Sequence, residues 1–345
     1  MTKDTSEIFI EGKSVEFLQA ALKQRGGNTA TELNFVVPGA QTNFRKYWNK
    51  EVTVFFQHGD GVPLFRGRIL DSVINANNSI KFRAVDVYGF LTGHQRARIF
   101  LDENQNIDGL SAGASIIKMI KIAKLDNIIG TDYIGETTPV IKNSSPRGMI
   151  TILNEINSYM KEAIDLTNTD LPRQNIVVVK DDGTKSQLHI ESRADIETET
   201  PVKSYTYDTN IISFQVHNRH IPTTIIVKGA GEKGETFTHT SAAVALGDFF
   251  LEITNPKLKS RAECREFAQK IFRANDKSKY EYTLNTFEGV YLQENDVVHI
   301  TDEETGIEGN FRLIGKTVTF GPNSFKLQLT INKRPPILGE YLQTK

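Results

Sequence analysis

Residues 325–331 alternate without a fault. Phe325, Leu327, Leu329 and Ile331 fall on one face, and Lys326, Gln328 and Thr330 on the other. Successive side chains of a strand point to opposite faces, so this pattern commits the segment to a strand with one buried face. The run from Asn310 to Phe320 precedes it, and Gly321-Pro322-Asn323-Ser324 between the two is turn chemistry. Together they predict a long antiparallel hairpin. Upstream lie Leu292–Ile300, an acidic turn at Asp302-Glu303-Glu304, and Gly306–Phe311. A short strand, an acidic turn and a long two-stranded return are an order in which a small closed barrel can end.

The first 95 residues have the same texture. Leu33, Phe35 and Val37 alternate before Pro38-Gly39, and Val52, Val54 and Phe56 alternate before His58-Gly59-Asp60-Gly61. Leu64–Leu70 suits a hairpin partner for the latter, and Asn75-Ala76-Asn77-Asn78 reads as the next turn. Ile80, Phe82 and Ala84 then share a face before Val85 and Val87 take the opposite parity. That switch predicts a bulge or a strand bending round a barrel corner. Val15–Arg25 stays open, fitting either a helix or a strand that leads into Gly26-Gly27.

Between about 96 and 200 the periodicity becomes helical. Ser111–Leu125 places Ile116, Ile117 and Ile120 at helical spacing. Ser145-Pro146-Arg147 reads as the opening of a second helix carrying Ile152, Leu153, Ile156 and Met160. A hairpin follows, Asn175–Lys180 and Gln187–Glu191 around Asp181-Asp182-Gly183-Thr184. After Pro201 strands return at Ile211–Val216 and Thr224–Lys228, and Tyr280–Leu284 restarts them after a helix over Lys259–Ala274 with Ala262, Phe267, Ala268 and Ile271 inward. The fold class expected is mainly β with an α+β insert. Its divisions are 1–95 and 201–335 as strand-rich domains, 96–200 as the insert, and 336–345 as a tail.

Charge and cysteine content narrow the function. With 41 basic against 42 acidic residues, no excess of positive charge is left for nucleic acid as a main ligand. One cysteine, Cys264, excludes an intramolecular disulfide and a cysteine-rich metal knot; on an amphipathic helix it reads as a buried structural thiol. Met1–Glu7 has no apolar signal-peptide core, and no apolar run approaches the roughly 20 residues that span a bilayer. Folding in a cytosol, with no membrane partner, is the expectation.

Candidate chemistry is thin. His217 and His220 would share a helical face but lie on opposite faces of a strand, which makes a polar connection the better reading than a metal site. Gly229-Ala230-Gly231-Glu232-Lys233-Gly234 has G-x-G-x-x-G spacing, yet Glu235–Thr240 after it is β-prone, whereas a dinucleotide site opens a helix there. The acidic groups Asp102-Glu103, Asp181-Asp182 and Asp302-Glu303-Glu304 all fall in expected turns or loops. A glycosidase instead needs two carboxylates about 5–9 Å apart across a cleft. HExxH, CxxC, G-x-S-x-G and P-loop motifs are absent. No catalytic, cofactor-binding or metal-ligating residue is assigned, and no cofactor is expected. So many strands must close their sheets or cover their edges, which favours an oligomer.

The C-terminal order of elements carries a resemblance. Lys228-Gly229, the helix with Ala262 to Ala274, Tyr282-Thr283-Leu284, Asn295-Asp296-Val297-Val298, Gly309–Leu313 and the final hairpin follow one another as in the baseplate hub proteins of tailed phages and contractile injection machines. These include the late-control D, XkdQ/YqbQ-like and myophage hub proteins. A "G-D-x-V-x-V" turn precedes their last strands, and Asn295-Asp296-Val297-Val298 stands there without the Gly. Leu64-Phe65-Arg66-Gly67-Arg68-Ile69 resembles their "L-F-x-G-x-I" strand.

The resemblance implies two tail-tube-like β-barrels per chain and a homotrimer whose six barrels make a pseudo-sixfold ring. Such a ring adapts a sixfold tail tube to a threefold spike around a central channel. It implies a virion protein of the tail baseplate, assembled in the bacterial host cytoplasm. The implied neighbours are tube, spike, tape measure and baseplate wedge or sheath-initiating proteins, with DNA only as passing cargo. It carries over no catalytic residue. The alternatives are a tail-associated enzyme that degrades cell wall through the 96–200 unit, and a carbohydrate-binding β protein.

Overall fold

The computed structural model describes residues 6–25, 30–39, 44–56, 62–93, 98–101, 107, 109–132, 134, 148–151, 175–192, 199–218, 224–229, 236–240, 250–254, 258–277, 280–303, 306–321 and 324–332. The first strand-rich stretch contains β1 (Ser6–Ile10), β2 (Lys13–Val15), β3 (Gln19–Arg25), β4 (Glu32–Val37), β5 (Glu51–Phe56), β6 (Phe65–Ile74) and β7 (Ile80–Val85). Helix α1 (Val87–Gly93) leads into an α+β segment with β8 (Arg98–Leu101), α2 (Ala112–Ile122), β9 (Ile129–Gly130), β10 (Gly148–Thr151), β11 (Asn175–Asp181) and β12 (Ser186–Ser192). The second stretch holds β13 (Lys203–Thr206) and β14 (Ile211–Asn218), then β15 (Thr224–Lys228), β16 (Thr236–Thr240), β17 (Phe250–Thr254) and α3 (Arg261–Lys277). It ends with β18 (Tyr280–Thr286), β19 (Val297–Asp302), β20 (Ile307–Gly321) and β21 (Ser324–Asn332). The protein is mainly β.

Alternation becomes burial where it was read. Leu33, Phe35 and Val37 on β4, and Leu327, Leu329 and Ile331 on β21, are buried, and the residues between them are only half-buried. β20 and β21 pair antiparallel down to Gly321 opposite Ser324. The open segment Val15–Arg25 is strand from Gln19 onward, because Ala20 and Leu22 bury one face of β3 between β4 and β20. Aromatic pairs close the core across the chain: Phe35 stacks on Phe82 at 5.2 Å, and Phe56 meets Phe325 at 4.6 Å.

Among the described residues, thirteen strands form one sheet with the path β14-β18-β21-β20-β3-β4-β7-β6-β5-β1-β2, and β19 and β13 branch from β20. The two strand-rich stretches repeat one order within it. The first runs β1-β5-β6-β7-β4-β3, and the second β13-β19-β20-β21-β18-β14. The repeat extends to single bonds. Asn49 and Asn295 both have positive φ, 60° and 76°. The Asn49 amide donates to Ile69 O at 2.8 Å and the Asn295 amide to Leu313 O at 2.9 Å; Ile69 and Leu313 donate back to Lys50 O and Asp296 O. Arg68 bonds the Asn49 carbonyl, and Arg312 the Asn295 carbonyl. A bulge follows each time, between Ile69 and Asp71 and between Leu313 and Gly315. One pairing differs: β1 meets β5 antiparallel, whereas β13 meets β19 parallel.

Three sequence expectations are corrected, and the place of one helix is defined. The parity switch after Ala84 marks the end of β7 and the start of α1, and the bulge lies on β6 opposite. Gly148–Thr151 is a strand paired with β8, not the first turn of a helix; Ile152, Leu153, Ile156 and Met160 lie outside the described residues. Helix α3 packs on β15 and β16, burying Cys264, Phe267 and Ala268 with Ile225, Val227, Ile253 and Leu258, so it forms a separate layer within the 201–335 stretch. Ala262 faces outward, because the buried stripe of α3 runs through Cys264, Phe267 and Ala268.

The motif glycine Gly67 has a steric cause. A Cβ there would stand 2.2 Å from Val85 O and 2.4 Å from the ring of Phe65. Backbone cannot give way as a flexible side-chain end can. Gly67→Ala is expected to lower stability by about 1–3 kcal/mol, the usual cost of overpacking, seen as a lower urea midpoint with the slope unchanged.

Candidate assembly surface

Two of the acidic residues singled out as possible carboxylate pairs, Asp181 and Asp182, are bound up in holding the fold. Asp181, at the end of β11, accepts Arg66 Nε at 2.6 Å, and Arg66 reaches Glu51 at 2.9 Å and Gly183 O at 3.1 Å. Arg66 comes from β6, so this clasp ties the α+β segment to the first half through two poorly exposed side chains, 13% and 9%. Asp182 spends one oxygen on its own turn, accepting from Thr184 N, Thr184 Oγ1 and Lys185 N. A bond from the Gln187 side chain to its other oxygen, and then these turn bonds, hold its carboxyl below the usual range. Asp302 is buried at the end of β19, not in a loop, and Glu303 is exposed in the turn after it. Asp102, Glu103 and Glu304 lie outside the described residues.

His217 lies within β14, exposed, and not in a connection between strands; His220 is outside the described residues. Gly229 follows β15, and Thr236–Thr240 after the motif is strand β16, paired antiparallel with β15, where a dinucleotide site would have a helix. Its missing Cβ leaves room for Leu258 O and Cys264 Sγ, which is a packing role. Among the described residues no cluster of three His, Cys, Asp or Glu is placed to hold a metal, and no helix is long and apolar enough to cross a membrane.

A cleft at the meeting of the two halves and the α+β segment is lined by Leu64, Arg66, Asp86, Asp181, Tyr291 and Lys316 among others, and holds about 60 Å³. One water needs about 10–15 Å³ on this measure, so the space suits a few waters and not a sugar ring. Two buried charges border it. Asp86 accepts the amides of Thr31 and Gly89 at 2.9 Å each, and burial pushes its carboxyl up to about 6. Lys316 donates to Val290 O at 2.7 Å and Leu292 O at 2.5 Å, while burial pushes its ammonium down to about 8. An acid raised by folding binds more protons folded than unfolded, so Asp86 erodes stability as pH rises from about 4 to about 6. A base lowered by folding acts the other way, and Lys316 restores stability as pH rises through about 8. Neither group faces a substrate-sized space.

The outer surface is more telling. β14 is bonded only by β18 among the described strands, and β6 has β5 beside it only as far as Arg68. Apolar side chains stand in water on both: Ile212 and Val216 on β14, Val73 and Ile74 on β6. Trp48, 69% exposed, adjoins the β6 edge and donates to Leu70 O at 2.9 Å. Exposed strand edges carrying apolar residues are sites of further pairing. Sequence reading did not find them, because Val73 and Ile74 look like any strand end until their pairing is known.

No protein-family model matches the sequence, and no curated protein matches it. Solved structures do. A tail protein from Neisseria meningitidis is 12% identical with a TM-score of 0.67, covering 98% of this chain and 99% of its own. The 43 kDa tail protein of prophage MuSo2 from Shewanella oneidensis is 12% identical with a TM-score of 0.62, covering 95% and 97%. An E. coli component of the type VI secretion system, described as similar to T4 bacteriophage tail proteins, is 8% identical with a TM-score of 0.52, covering 97% of this chain and 78% of its own. The resemblance to tail hub proteins therefore holds in the fold, which this chain shares with phage tail proteins over its whole length.

The Arg66–Asp181 clasp generates a test. Arg66→Met leaves Asp181 with the Gly183 amide, and Asp181→Asn leaves Arg66 with Glu51 and Gly183 O, so each should cost about 1.5–3 kcal/mol, the range for a hydrogen bond to a charged group. Limited proteolysis should then cut first within the α+β segment, and the double variant should recover part of the loss.

Proposed function

We propose that the chain is a structural protein of a phage tail or a related contractile injection machine, acting as a baseplate hub. The observation that supports this most is the two-way, end-to-end fold correspondence with two tail proteins. In this reading the stretches 1–95 and 201–335 are two tube-like barrels, 96–200 is an insert beside them, and 336–345 is a tail. Three copies present six barrels, adapting a sixfold tube above to a threefold spike below. The channel between them passes DNA as cargo without chemistry. Tube, spike, tape measure and wedge or sheath-initiating proteins are its partners, in a virion baseplate assembled in the host cytoplasm. The repeated strand order supports this, since two equivalent units per chain are what a threefold protein needs to match a sixfold one.

Deleting the gene from the phage or prophage that encodes it should give particles without completed tails by electron microscopy, with the chain supplied in trans restoring them. Normal, infectious tails without the chain would overturn the assignment. The enzyme alternative is tested separately by Asp182→Asn with Glu303→Gln. Asp181 is left intact because its loss would unfasten the Arg66 clasp. Particle yield and infectivity are expected to stay within about twofold of the parent, as for surface changes away from buried features. Normal assembly with loss of a cell-wall-degrading activity would favour the enzyme.

A further inference from the structure

The junction between the two halves has a counterpart with no described strand beside it. Within the chain, β20 runs beside β19 through Arg312 and then beside β3, with Val318 opposite Leu22 and Phe320 opposite Ala20. All four side chains are at most 1% exposed. In the repeat, β6 is the equivalent of β20 and β14 the equivalent of β3. Along Asp71–Ile74, β6 has no described strand on its β5 side, and β14 has none on its outer edge.

The register carries over residue by residue. Leu22 pairs with Leu33, Leu33 with Ala84, and Ala84 with Ile69. Across the second half Val216 pairs with Tyr282, Tyr282 with Ile331, and Ile331 with Leu313. Ile69 and Leu313 are equivalent by their bonds to Asn49 and Asn295, so Val216 is equivalent to Leu22. Counting from the shared bulge, Ile74 is equivalent to Val318 and Val73 to Thr317. The two residues that seal the internal junction thus correspond to Val216 and Ile74, which are 45% and 49% exposed. Val73 beside them is 57% exposed.

We propose that β6 of one copy pairs antiparallel with β14 of a second copy, Ile74 opposite Val216 and Val73 opposite His217. The sheet would then continue across the subunit boundary as it continues across the junction inside the chain. Each copy offers one edge of each kind, so the contact is head-to-tail and repeats until a ring closes. A second copy is the occupant because the chain already holds both complementary edges and shows, within itself, how they fit. The ring of three copies rests on the hub reading above; the edge pairing and its register do not.

The test is disulfide trapping in the full chain. Directly opposed Cα atoms in an antiparallel pair stand about 4.5–5.5 Å apart, within disulfide reach, and the one native cysteine, Cys264, is buried. Ile74→Cys with Val216→Cys should cross-link between copies under mild oxidation, about tenfold more than Ile74→Cys with Gln215→Cys, whose side chains point to opposite faces. Peptide mapping should show the 74–216 bond, and the fully oxidised species should have the mass of three chains. Absence of the matched bond, or equal yield from the mismatched pair, overturns the edge pairing. A native trimer without the matched bond overturns the pairing and leaves the hub reading standing. The matched bond in a closed species of another copy number supports the pairing and overturns the three-copy ring.

Discussion

The antiparallel pairing of β20 with β3 is the constraint on which the rest depends. A strand has two hydrogen-bonding edges, and leaving either bare in an apolar setting costs the desolvation of every unpaired amide along it. β20 is long enough to serve three neighbours: β21 along one edge, and β19 and then β3 along the other. That length fuses two repeats into one sheet and one buried cluster drawing on both halves, from Ile8 to Ile331. Without it the halves would be beads on a string. With it, the orientation of one half to the other is fixed by backbone bonds and not by side chains alone.

The charges buried at this junction follow from the same geometry. Lys316 occupies β20 where it passes from β19 to β3, and its ammonium is held by two carbonyls of the segment before β19. Arg312, four residues earlier and 4% exposed, grips Glu199 with both ends of its guanidinium and the Asn295 carbonyl with one. Glu199 lies just ahead of β13, so this fork fixes where the chain re-enters the sheet after the insert. The first half uses Arg68 on Asn49 in the same way but has no carboxylate partner of that kind described. The repeat keeps the cation that reads the left-handed asparagine and adds the anion only where a linker must be anchored. Arg serves this better than Lys because its planar fork meets a carboxylate through two bonds.

Much of the sheet was legible because alternation is a local signal. Leu33, Phe35 and Val37, or Leu327, Leu329 and Ile331, announce a buried face whatever the partner strand. Segments whose state is decided by partners were not. Val15–Arg25 has a pattern that a helix would also accept, and only burial of Ala20 and Leu22 against Val318 and Phe320 settles it. Gly148–Thr151 follows a Ser-Pro pair that reads as a helix start, yet pairing with β8 overrides it. The placement of α3 was missed because a helical stripe says that a face is buried and not against what; Cys264 and Phe267 chose β15 and β16. Two strand-rich halves were legible in sequence, but their residue-by-residue correspondence was not, because it lives in backbone positions. Asn49 and Asn295 do share identity, but they stand in Trp48-Asn49-Lys50 and Glu294-Asn295-Asp296, surroundings that share nothing else. The assembly edges were illegible for a related reason, since an exposed Val on a strand has meaning only once the neighbour it lacks has been identified.

The two repeats differ most in what separates their paired outer strands. β3 and β4 are joined by residues 26–31, whereas the equivalent strands β14 and β18 are separated by 219–279, which include a three-stranded sheet and α3. The ladder between β14 and β18 nonetheless keeps its register from Ser213 to Asn218. A connection at this point can therefore grow from six residues into a folded unit with its own core, at an entropic cost that rises only with the logarithm of its length. In evolutionary terms the sheet is a chassis and this loop a hardpoint, where decoration accumulates without renegotiating the frame. In engineering terms the short β3–β4 connection is its twin in the first repeat, and the natural place to graft a reporter.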